Sequence, residues 1–541
     1  MVSSFRVTEK SSQKSQNSIF YWKEKSSNDN IIKYHTPKKM MIVSVLQWLL
    51  ILVSVSTVIA SKARPPQYFD TQLVDHDHDS DGLFWSQRYY SFGDHFRGPG
   101  FPIFLVMGGE GNIEPSTGIF YPFVTDHLAK EFGGFVLEAE HRFYGVSLPL
   151  YDFREQSPDP RIKLLTPRQT LQDNMRLVRY TQAKLGCSFD RKSPNYCPVI
   201  TVGGSYPGWL SAMARLVFPD IVDMAYAASA PMKFYSQQVL PEEYYNHISH
   251  VAEMTQPGCL AAVQHALQGV QTFVESVPLT DLEAITPRLG FCPDTLPEYM
   301  LLSSDVFLDE VFMMIGYTFA NLNMANYPPS NNTGLYRACS IYMNPESDPI
   351  EITRSFLTTF LPLSPLDCIN VRSQLPSGVH ATISGGDWSG VGDGTSGESW
   401  DFQTCTLLVE AIGFSETSMF PPRSWSLEWM TEHCNRRFGV TPQPYQLLNE
   451  WGWDDLIKAN ASRILFTNGK KDGWFVGGIQ ESLSDTLLVV NFENGAHHSD
   501  LSGQGPSVAD TDDIRAGFVT ITGILGTWLN DLPAKPQWIA R

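Results

Sequence analysis

The feature that most constrains the fold of this chain is a β-branched run that ends in two glycines and a serine. Residues 199–202 are Val-Ile-Thr-Val, residues 203 and 204 are glycines, and Ser205 follows. Beyond the serine, apolar residues recur at helical spacing from Trp209 to Val217. This order predicts a strand, a tight turn and a helix. It is also the order of a nucleophile elbow, in which a sharp turn with small neighbours lifts a serine hydroxyl off the edge of a sheet.

One residue departs from the usual elbow pattern G-x-S-x-G, because Pro207 takes the place of the last glycine. Proline is tolerated in the first turn of a helix, where its missing N–H would be unpaired in any case. The N–H that usually stabilises an oxyanion belongs to the residue directly after the serine, here Tyr206, which keeps it. Taken alone, the stretch is still better explained as a structural strand, turn and helix with an incidental serine.

Strands and amphipathic helices alternate on both sides of this stretch. Further strands are predicted at 85–90, 101–107, 134–138, 224–228, 463–467 and 486–492, and helices at 168–185 and 514–528. Such alternation predicts an α/β fold with a doubly wound, mostly parallel sheet that is covered by helices on both faces.

The middle of the chain has a different character. Residues 234–439 carry long segments of mixed polar and apolar residues, interrupted by Pro and Gly, and six of the eight cysteines. We expect a largely helical cap, inserted between a first part of the α/β domain at 64–233 and a second part at 440–541.

The amino-terminal end predicts export. Residues 1–39 are polar, with eight Lys and Arg against three acids, and are expected to be a disordered basic extension. An apolar run at 42–60 ends in small residues, so 40–63 is interpreted as a signal peptide whose true start is Met40 or Met41. The alternative is an uncleaved signal anchor, which is the one case in which a membrane would be a partner.

The cysteines and sequons agree with an exported chain. All eight cysteines lie beyond the apolar run, and an even number in such a chain predicts disulfides, with Cys187 and Cys197 closing a short loop. The pairing of the others stays open. No C-x-x-C pair occurs, so we expect no metal site built from cysteines. Asn331 and Asn460 open glycosylation sequons. The net charge of −18 argues against nucleic acid as a partner.

An acid and an imidazole complete a constellation with the serine. Asp472 follows the predicted strand at 463–467, and His497 follows the one at 486–492. The chain order Ser, Asp, His is that of α/β-hydrolases, and loops that leave the same edge of a parallel sheet can meet. A serine needs a neutral imidazole to take its proton, and a carboxylate to hold that imidazole. Each residue alone is explained as well by a structural role.

A second oxyanion donor is expected on the loop after the strand at 101–107. This loop reads Gly108-Gly-Glu-Gly111, and glycines allow close backbone approach, so an N–H of Glu110 or Gly111 is a candidate beside that of Tyr206. The nearby Glu140-His-Arg sequence is interpreted as a structural ion pair under the sheet.

Seven sequence pieces together resemble the family of lysosomal Pro-X carboxypeptidase, dipeptidyl peptidase II and thymus-specific serine protease. They are Gln72-Leu-Val-Asp-His76, Gly109-Glu-Gly111, Glu140-His-Arg-Phe-Tyr-Gly145, Gly203-Gly-Ser-Tyr206, Ala227-Ala-Ser-Ala-Pro231, Asn468-Gly-Lys-Lys-Asp472 and Gly495-Ala-His-His498. The resemblance implies an α/β-hydrolase fold with a helical cap, a triad of Ser205, Asp472 and His497, and cleavage of peptides next to proline or a small apolar residue. It also implies an apolar pocket built partly from Trp209 and Trp474, and no cofactor or metal.

Departures from the family pattern leave alternatives open. Pro207 replaces the elbow glycine, Gly473 stands where the family commonly has Pro, and Ser502 stands where an Arg usually follows the paired histidines. The favoured prediction is a Pro-X carboxypeptidase-like serine exopeptidase of the secretory pathway, lysosomal or vacuolar or extracellular, with a homodimer left open. The alternatives are a dipeptidyl aminopeptidase of the same family and an inactive hydrolase-fold binding protein. Trp209 is explained equally well by core packing.

Overall fold

The computed structural model of the protein describes residues 64–78, 82–114, 121–149, 160–345, 347–374, 395–502 and 505–533. The strands are Gln67–Leu73 (β1), Phe84–Phe92 (β2), Ile103–Met107 (β3), Phe135–Ala139 (β4), Val199–Gly204 (β5), Met224–Ala228 (β6), Ile464–Gly469 (β7) and Leu487–Phe492 (β8). The predictions for residues 1–39 and 40–63 lie outside the described residues.

The eight strands form one sheet in the order β1-β2-β4-β3-β5-β6-β7-β8. The pairs β1–β2 and β2–β4 are antiparallel, and every pair from β4 to β8 is parallel. Strand β5, which leads to Ser205, lies at the centre between β3 and β6. This arrangement is an α/β-hydrolase fold, and it brings the carboxyl ends of β3 and of β5 to β8 to one edge.

Helices cover both faces of the sheet, as predicted. Side chains of β3 alternate between two core clusters, since Leu105 and Met107 pack with the helices Pro167–Lys184 and Tyr206–Val217, whereas Phe104 and Val106 pack with the helix Asp512–Asn530. Burial on both faces explains why the parallel strands are continuous apolar runs.

The segment from 234 to 439 is helical in its described parts. Its helices of nine or more residues are Glu243–Thr255, Cys259–Glu275, Ser304–Met324, Gly334–Tyr342, Pro349–Phe360, Thr395–Thr404 and Leu427–Phe438. Shorter helices across the chain are Phe123–Leu128, Ala129–Phe132, Pro160–Leu164, Met232–Tyr235, Leu279–Asp281, Leu282–Ile285, Thr286–Leu289, Glu298–Leu301, Val371–Gln374, Gln446–Trp451, Trp453–Asp455, Gly473–Gly477 and Ser499–Ser502. No described helix is long and apolar enough to cross a bilayer.

Strand β1 was not predicted. Its pairing with β2 shifts register between Phe69 and Gln72, so the apolar alternation that signals a strand is broken there. Gln72 is fully buried at this bulge, where its amide donates to Gln87 and to the carbonyl of Asp173.

Four disulfides link all eight cysteines. The predicted bond between Cys187 and Cys197 is confirmed. The other three, whose pairing the sequence left open, are Cys259–Cys339, Cys292–Cys368 and Cys405–Cys434. Crosslinks of this kind restrict the unfolded chain, most strongly where the closed loop is long, as for the separations of 80 and 76 residues.

Glu140 and Arg142 both form buried structural ion pairs, as their predicted structural role requires, but with other residues and not within the Glu140-His-Arg sequence. Glu140 pairs with Arg88, and Arg142 makes a two-pronged contact with Asp173 at 2.6 and 2.7 Å. All four side chains are buried, and pairing is what makes such burial tolerable. His141, between them, contacts the elbow instead.

Glu138 on β4 is a buried carboxyl without such compensation. It has no exposed surface, and within the described residues neither carboxyl oxygen has a hydrogen-bond partner. Burial raises its pKa well above the ordinary 4.5, the Glu140 carboxylate adds to the rise, and the Arg88 guanidinium opposes it. The folded protein therefore favours the neutral acid at this position.

We predict that Glu138→Gln makes the protein more stable at neutral pH and changes little in acid. Because the pKa of Glu138 is raised in the folded state, the wild-type protein has its full stability below the ordinary pKa of Glu. As pH rises from there towards the folded-state pKa, its free energy of unfolding falls by about 1.4 kcal/mol per pH unit. Melting temperatures of wild type and variant between pH 4 and 8 measure this. The exposed Glu131→Gln serves as the control. A gap between the Glu138 variant and the wild type that stays constant across this pH range would contradict the prediction.

Candidate active site

Ser205 sits in a strained turn between β5 and the helix Tyr206–Val217. Its backbone has φ 64° and ψ −134°, a conformation that side-chain-bearing residues rarely adopt. Its N–H donates to the carbonyl of Ala228 at 2.9 Å, which holds the turn over the end of β6. A Cβ at Gly203 would lie 2.2 Å from the carbonyl oxygen of Pro207, so a glycine is required there. The predicted strand, turn and helix are all present.

Asp472 and His497 form a buried pair. Asp472 follows β7, is 1% exposed, and accepts the Nδ1–H of His497 at 2.7 Å and the N–H of Trp474 at 3.1 Å. Burial acts to raise the pKa of Asp472, but the His497 charge and these hydrogen bonds outweigh it, so the pKa lies below its ordinary value. An ionised Asp472 fixes the tautomer of His497 and leaves Nε2 able to accept a proton.

Ser229, just beyond β6, connects the loop that carries the imidazoles with the acid. Its hydroxyl oxygen accepts the N–H of His498 at 2.9 Å, and the hydroxyl bonds to Asp472. A Cβ on Gly204 would lie 2.8 Å from the ring of His498, so the loop of the paired histidines packs directly on the elbow. Ser229 and His498 also have positive φ, of 45° and 33°. Strained non-glycine backbone gathered in one place is typical of functional sites.

The second histidine is neutral in this environment. Burial lowers the pKa of His498 to about 3, with further lowering by the His497 charge. Asp500, two residues on, accepts a hydrogen bond from Tyr226 at 2.6 Å, and burial raises its pKa. Within this loop His497 pairs with the Asp472 carboxylate.

The glycine loop after β3 lies against the elbow. The N–H of Gly108 donates to the carbonyl of Ala139 at 2.9 Å, and a Cβ on Gly109 would lie 2.5 Å from the ring of Pro207. The N–H of Glu110 bonds to that residue's own carboxylate, an arrangement that competes with its predicted use as an oxyanion donor. Burial raises the pKa of the Glu110 carboxyl, whereas its own N–H and the nearby His497 lower it.

Tyr206 is held by side chains whose contact with it the sequence did not predict. Its hydroxyl lies 3.0 Å from His141 Nε2 and 3.0 Å from Gln403 Nε2, and its ring lies 5.2 Å from that of Trp400. Gln403 and Trp400 come from the cap segment, about 200 residues along the chain. No local sequence signal connects them to the elbow.

The two predicted pocket tryptophans differ. Trp209 has no exposed surface and is enclosed by Tyr206, Tyr235, Trp451 and Trp453, with ring centroids 5.3 to 6.3 Å away. In this structure it therefore packs as core and does not line an open pocket, because the surrounding rings leave no path to it.

Trp474 lies beside the Asp472–His497 pair. It is partly exposed, and its ring centroid is 6.4 Å from that of His497, 4.8 Å from that of Tyr244 and 5.2 Å from that of Phe234. Phe234 and Tyr244 are buried, so Trp474 is the partly exposed member of this aromatic group beside the imidazole.

A cluster of Asp401, Cys405 and His433 has the residue types of a metal site but not its chemistry. Cys405 is bonded to Cys434, and the Asp401 carboxylate contacts His433 at 3.1 Å and Arg437 at 2.6 Å. The Cys405 sulfur is held in a disulfide and the Asp401 carboxylate is shared by an imidazole and a guanidinium, so the set is a buried polar network. The sequon residues Asn331 and Asn460 are both exposed.

Comparison with known proteins identifies the family. The model for serine carboxypeptidase S28 matches residues 72–517. Lysosomal Pro-X carboxypeptidase from Mus musculus is 29% identical over 454 residues, 80% of this chain and 83% of the relative. Thymus-specific serine protease from Mus musculus is 27% identical over 494 residues, 87% and 89% of the two chains.

Solved structures show a fainter likeness. Est1E from Butyrivibrio proteoclasticus matches with a TM-score of 0.21 at 15% identity, covering 32% of this chain and 53% of that one. The family match is the decisive one, since it runs from β1 into the closing helix and includes Ser205, Asp472 and His497. This chain belongs to the serine carboxypeptidase S28 family and is a serine peptidase.

Proposed function

We propose that this protein is an exported serine exopeptidase whose triad is Ser205, Asp472 and His497. The observation that carries the proposal is the strained Ser205 turn, packed against the loop that holds the Asp472–His497 pair at one edge of the sheet. A stable protein has no need of such strain at a serine, whereas a nucleophile must stand clear of its neighbours.

The reaction is acyl transfer through the serine oxygen. Ser205 Oγ attacks the scissile carbonyl carbon while His497 Nε2 takes the hydroxyl proton, and His497 returns that proton to the leaving amine as the peptide bond breaks. Water then attacks the acyl-enzyme while His497 takes its proton, and His497 passes that proton to Ser205 Oγ as the ester bond breaks and the acid leaves. Asp472 holds the imidazole and stabilises its charged form.

The oxyanion is stabilised by backbone N–H groups. The N–H of Tyr206 is the first donor in the proposal, and the N–H of Gly111 is the second, since the N–H of Glu110 is engaged by its own carboxylate. Pro207 costs this arrangement nothing, because neither donor lies on that residue.

The substrates are peptides, and cleavage next to proline is the favoured specificity. Relatives that carry the name Pro-X carboxypeptidase support this preference. The Trp474 surface beside His497 is suited to a flat apolar ring. A homodimer remains a prediction.

One observation favours the second candidate, a dipeptidyl aminopeptidase. Among the described residues, His497 is the one side chain of another residue that acts electrostatically on the Glu110 carboxyl, and no Arg or Lys does so. When ionised, this carboxyl would attract a protonated α-amino group of the substrate and repel a terminal carboxylate.

Replacing the nucleophile gives the first test. We expect Ser205→Ala to lower turnover about 10⁶-fold, because the acyl-enzyme cannot form, while the melting temperature stays nearly unchanged. A fluorophosphonate probe should label the wild type at residue 205 and fail to label the variant. Labelling elsewhere, or normal activity of the variant, would show that another residue is the nucleophile. A wild type that neither labels nor cleaves would support the inactive binding protein.

Exopeptidase direction is tested with matched peptides blocked at one terminus. If Glu110 binds the substrate amine, Glu110→Gln raises KM for free-amine substrates by roughly 10- to 100-fold, the worth of a charged hydrogen bond, and leaves N-acetylated substrates unaffected. Since the pKa of Glu110 is raised, the wild-type KM for free-amine substrates should fall as pH rises through that pKa. Cleavage that requires a free carboxyl terminus instead would establish the carboxypeptidase.

Passage through the secretory pathway is tested by N-glycosylation of the two sequons. Four disulfides fit an oxidising compartment, and both sequon asparagines are exposed. We expect expression in a eukaryotic host to yield a glycoprotein whose mass falls on treatment with an N-glycosidase, in smaller steps for Asn331→Gln and for Asn460→Gln. A secreted or lysosomal protein of unmodified mass would contradict the glycosylation.

A further inference from the structure

We propose that Gln403, on the cap helix Thr395–Thr404, is a positioning residue for the oxyanion hole. It acts by holding the side chain of Tyr206, the residue whose backbone N–H is the first oxyanion donor. The inference rests on the proposed function.

Two hydrogen bonds hold the side-chain amide of Gln403 in one orientation. The Tyr144 hydroxyl donates to Gln403 Oε1 at 2.6 Å, and Gln403 Nε2 donates to the Tyr206 hydroxyl oxygen at 3.0 Å. All three residues are at most 1% exposed. Because only the amide oxygen can accept and only the nitrogen can donate, both bonds together fix the orientation of the amide.

The chain of hydrogen bonds continues through the histidine of the Glu140-His-Arg sequence. His141 Nδ1 lies 2.7 Å from the carbonyl oxygen of Arg142, which can only accept, so the proton is on Nδ1. Burial lowers the pKa of His141 to about 4, so the ring is neutral and Nε2 is an acceptor. The Tyr206 hydroxyl, 3.0 Å away, therefore donates to Nε2.

One more hydroxyl approaches the same nitrogen without breaking this order. Thr170 Oγ1 lies 3.1 Å from His141 Nε2 and equally 3.1 Å from the carbonyl of Thr166 within its own helix. It can donate to that carbonyl, which leaves Nε2 to Tyr206. The network thus runs in one direction, from Tyr144 through Gln403, Tyr206 and His141 to the Arg142 carbonyl.

Tyr206 needs such an anchor because its neighbours on the chain provide none. Ser205, before it, is strained, and the helix that starts at Tyr206 has no side-chain cap at its first turn. Pro207, after it, has no N–H. An oxyanion donor is effective only when it is held in place before the reaction, and the buried phenol provides that fixed point.

The anchor also couples the cap to the catalytic edge. Trp400, on the same helix as Gln403, packs edge-to-face against the Tyr206 ring, with 5.2 Å between the ring centroids. A shift of this helix would therefore move the oxyanion donor as well.

The test compares Gln403→Leu with a control variant that loses one buried hydrogen bond of the same helix. Ser399 donates to the carbonyl of Phe143 at 2.9 Å and does not touch Tyr206, so Ser399→Ala removes one buried cap hydrogen bond and leaves the network intact. We expect Gln403→Leu to lower kcat by roughly 10- to 100-fold with little change in KM, less than the loss of a whole oxyanion donor. Ser399→Ala should lower the melting temperature and leave kcat unchanged.

Two further measurements separate positioning from simple loss of stability. A peptide aldehyde, which forms a tetrahedral adduct with the serine, should bind Gln403→Leu more weakly by the same factor as kcat/KM falls, whereas a product peptide should bind equally well. Tyr206→Phe, which keeps the ring, should show the same kcat loss, and the double variant should lose no more than either single variant.

The outcomes distinguish this inference from the proposed function. If the wild type cleaves peptides and labels at Ser205 but Gln403→Leu and Tyr206→Phe keep the wild-type kcat, the positioning role is wrong and the peptidase stands. If Gln403→Leu does not fold, Tyr206→Phe decides alone by the same measurements. Additive losses in the double variant would also overturn the inference.

Discussion

The structure depends on the close packing of β5 against the first turn of the helix that follows it. A side chain at Gly203 would collide with the carbonyl oxygen of Pro207, and one at Gly204 would collide with the ring of His498. Two glycines therefore let strand, helix and histidine loop meet at one point. The strained backbone of Ser205 is the result of that packing, and the core on both faces of the sheet supplies the stability that maintains it.

Charge at the site follows from burial. Asp472 is kept ionised by its hydrogen bonds to His497 and Trp474, whereas Glu110, Glu138 and Asp500 have pKa values raised by burial. Burial, hydrogen-bond donors and neighbouring charges together thus set the direction in which the pKa of each carboxyl moves.

Much of the fold and of the site could be predicted from local pattern. Three features could be predicted: the strands around Ser205, the Cys187–Cys197 loop and the order of Asp472 and His497. Each depends on neighbours in the chain or on loops that leave one edge of a sheet. Strand β1 was not legible, since its bulge at Gln72 breaks the alternation. The three long-range disulfides and the Gln403–Tyr206 contact were not legible either, because nothing at one partner marks the other.

The sequence by itself determined the order of strands and helices and the family, and it led to the proposal of a Ser, Asp and His triad, because each is written in periodicity, turn residues or motif. Only the tertiary structure decided that Trp209 is core while Trp474 borders the imidazole. It also decided that a cap glutamine reaches the elbow. The physical reason is that burial and hydrogen-bond partnership are set by residues far apart along the chain, and packing alone brings them together.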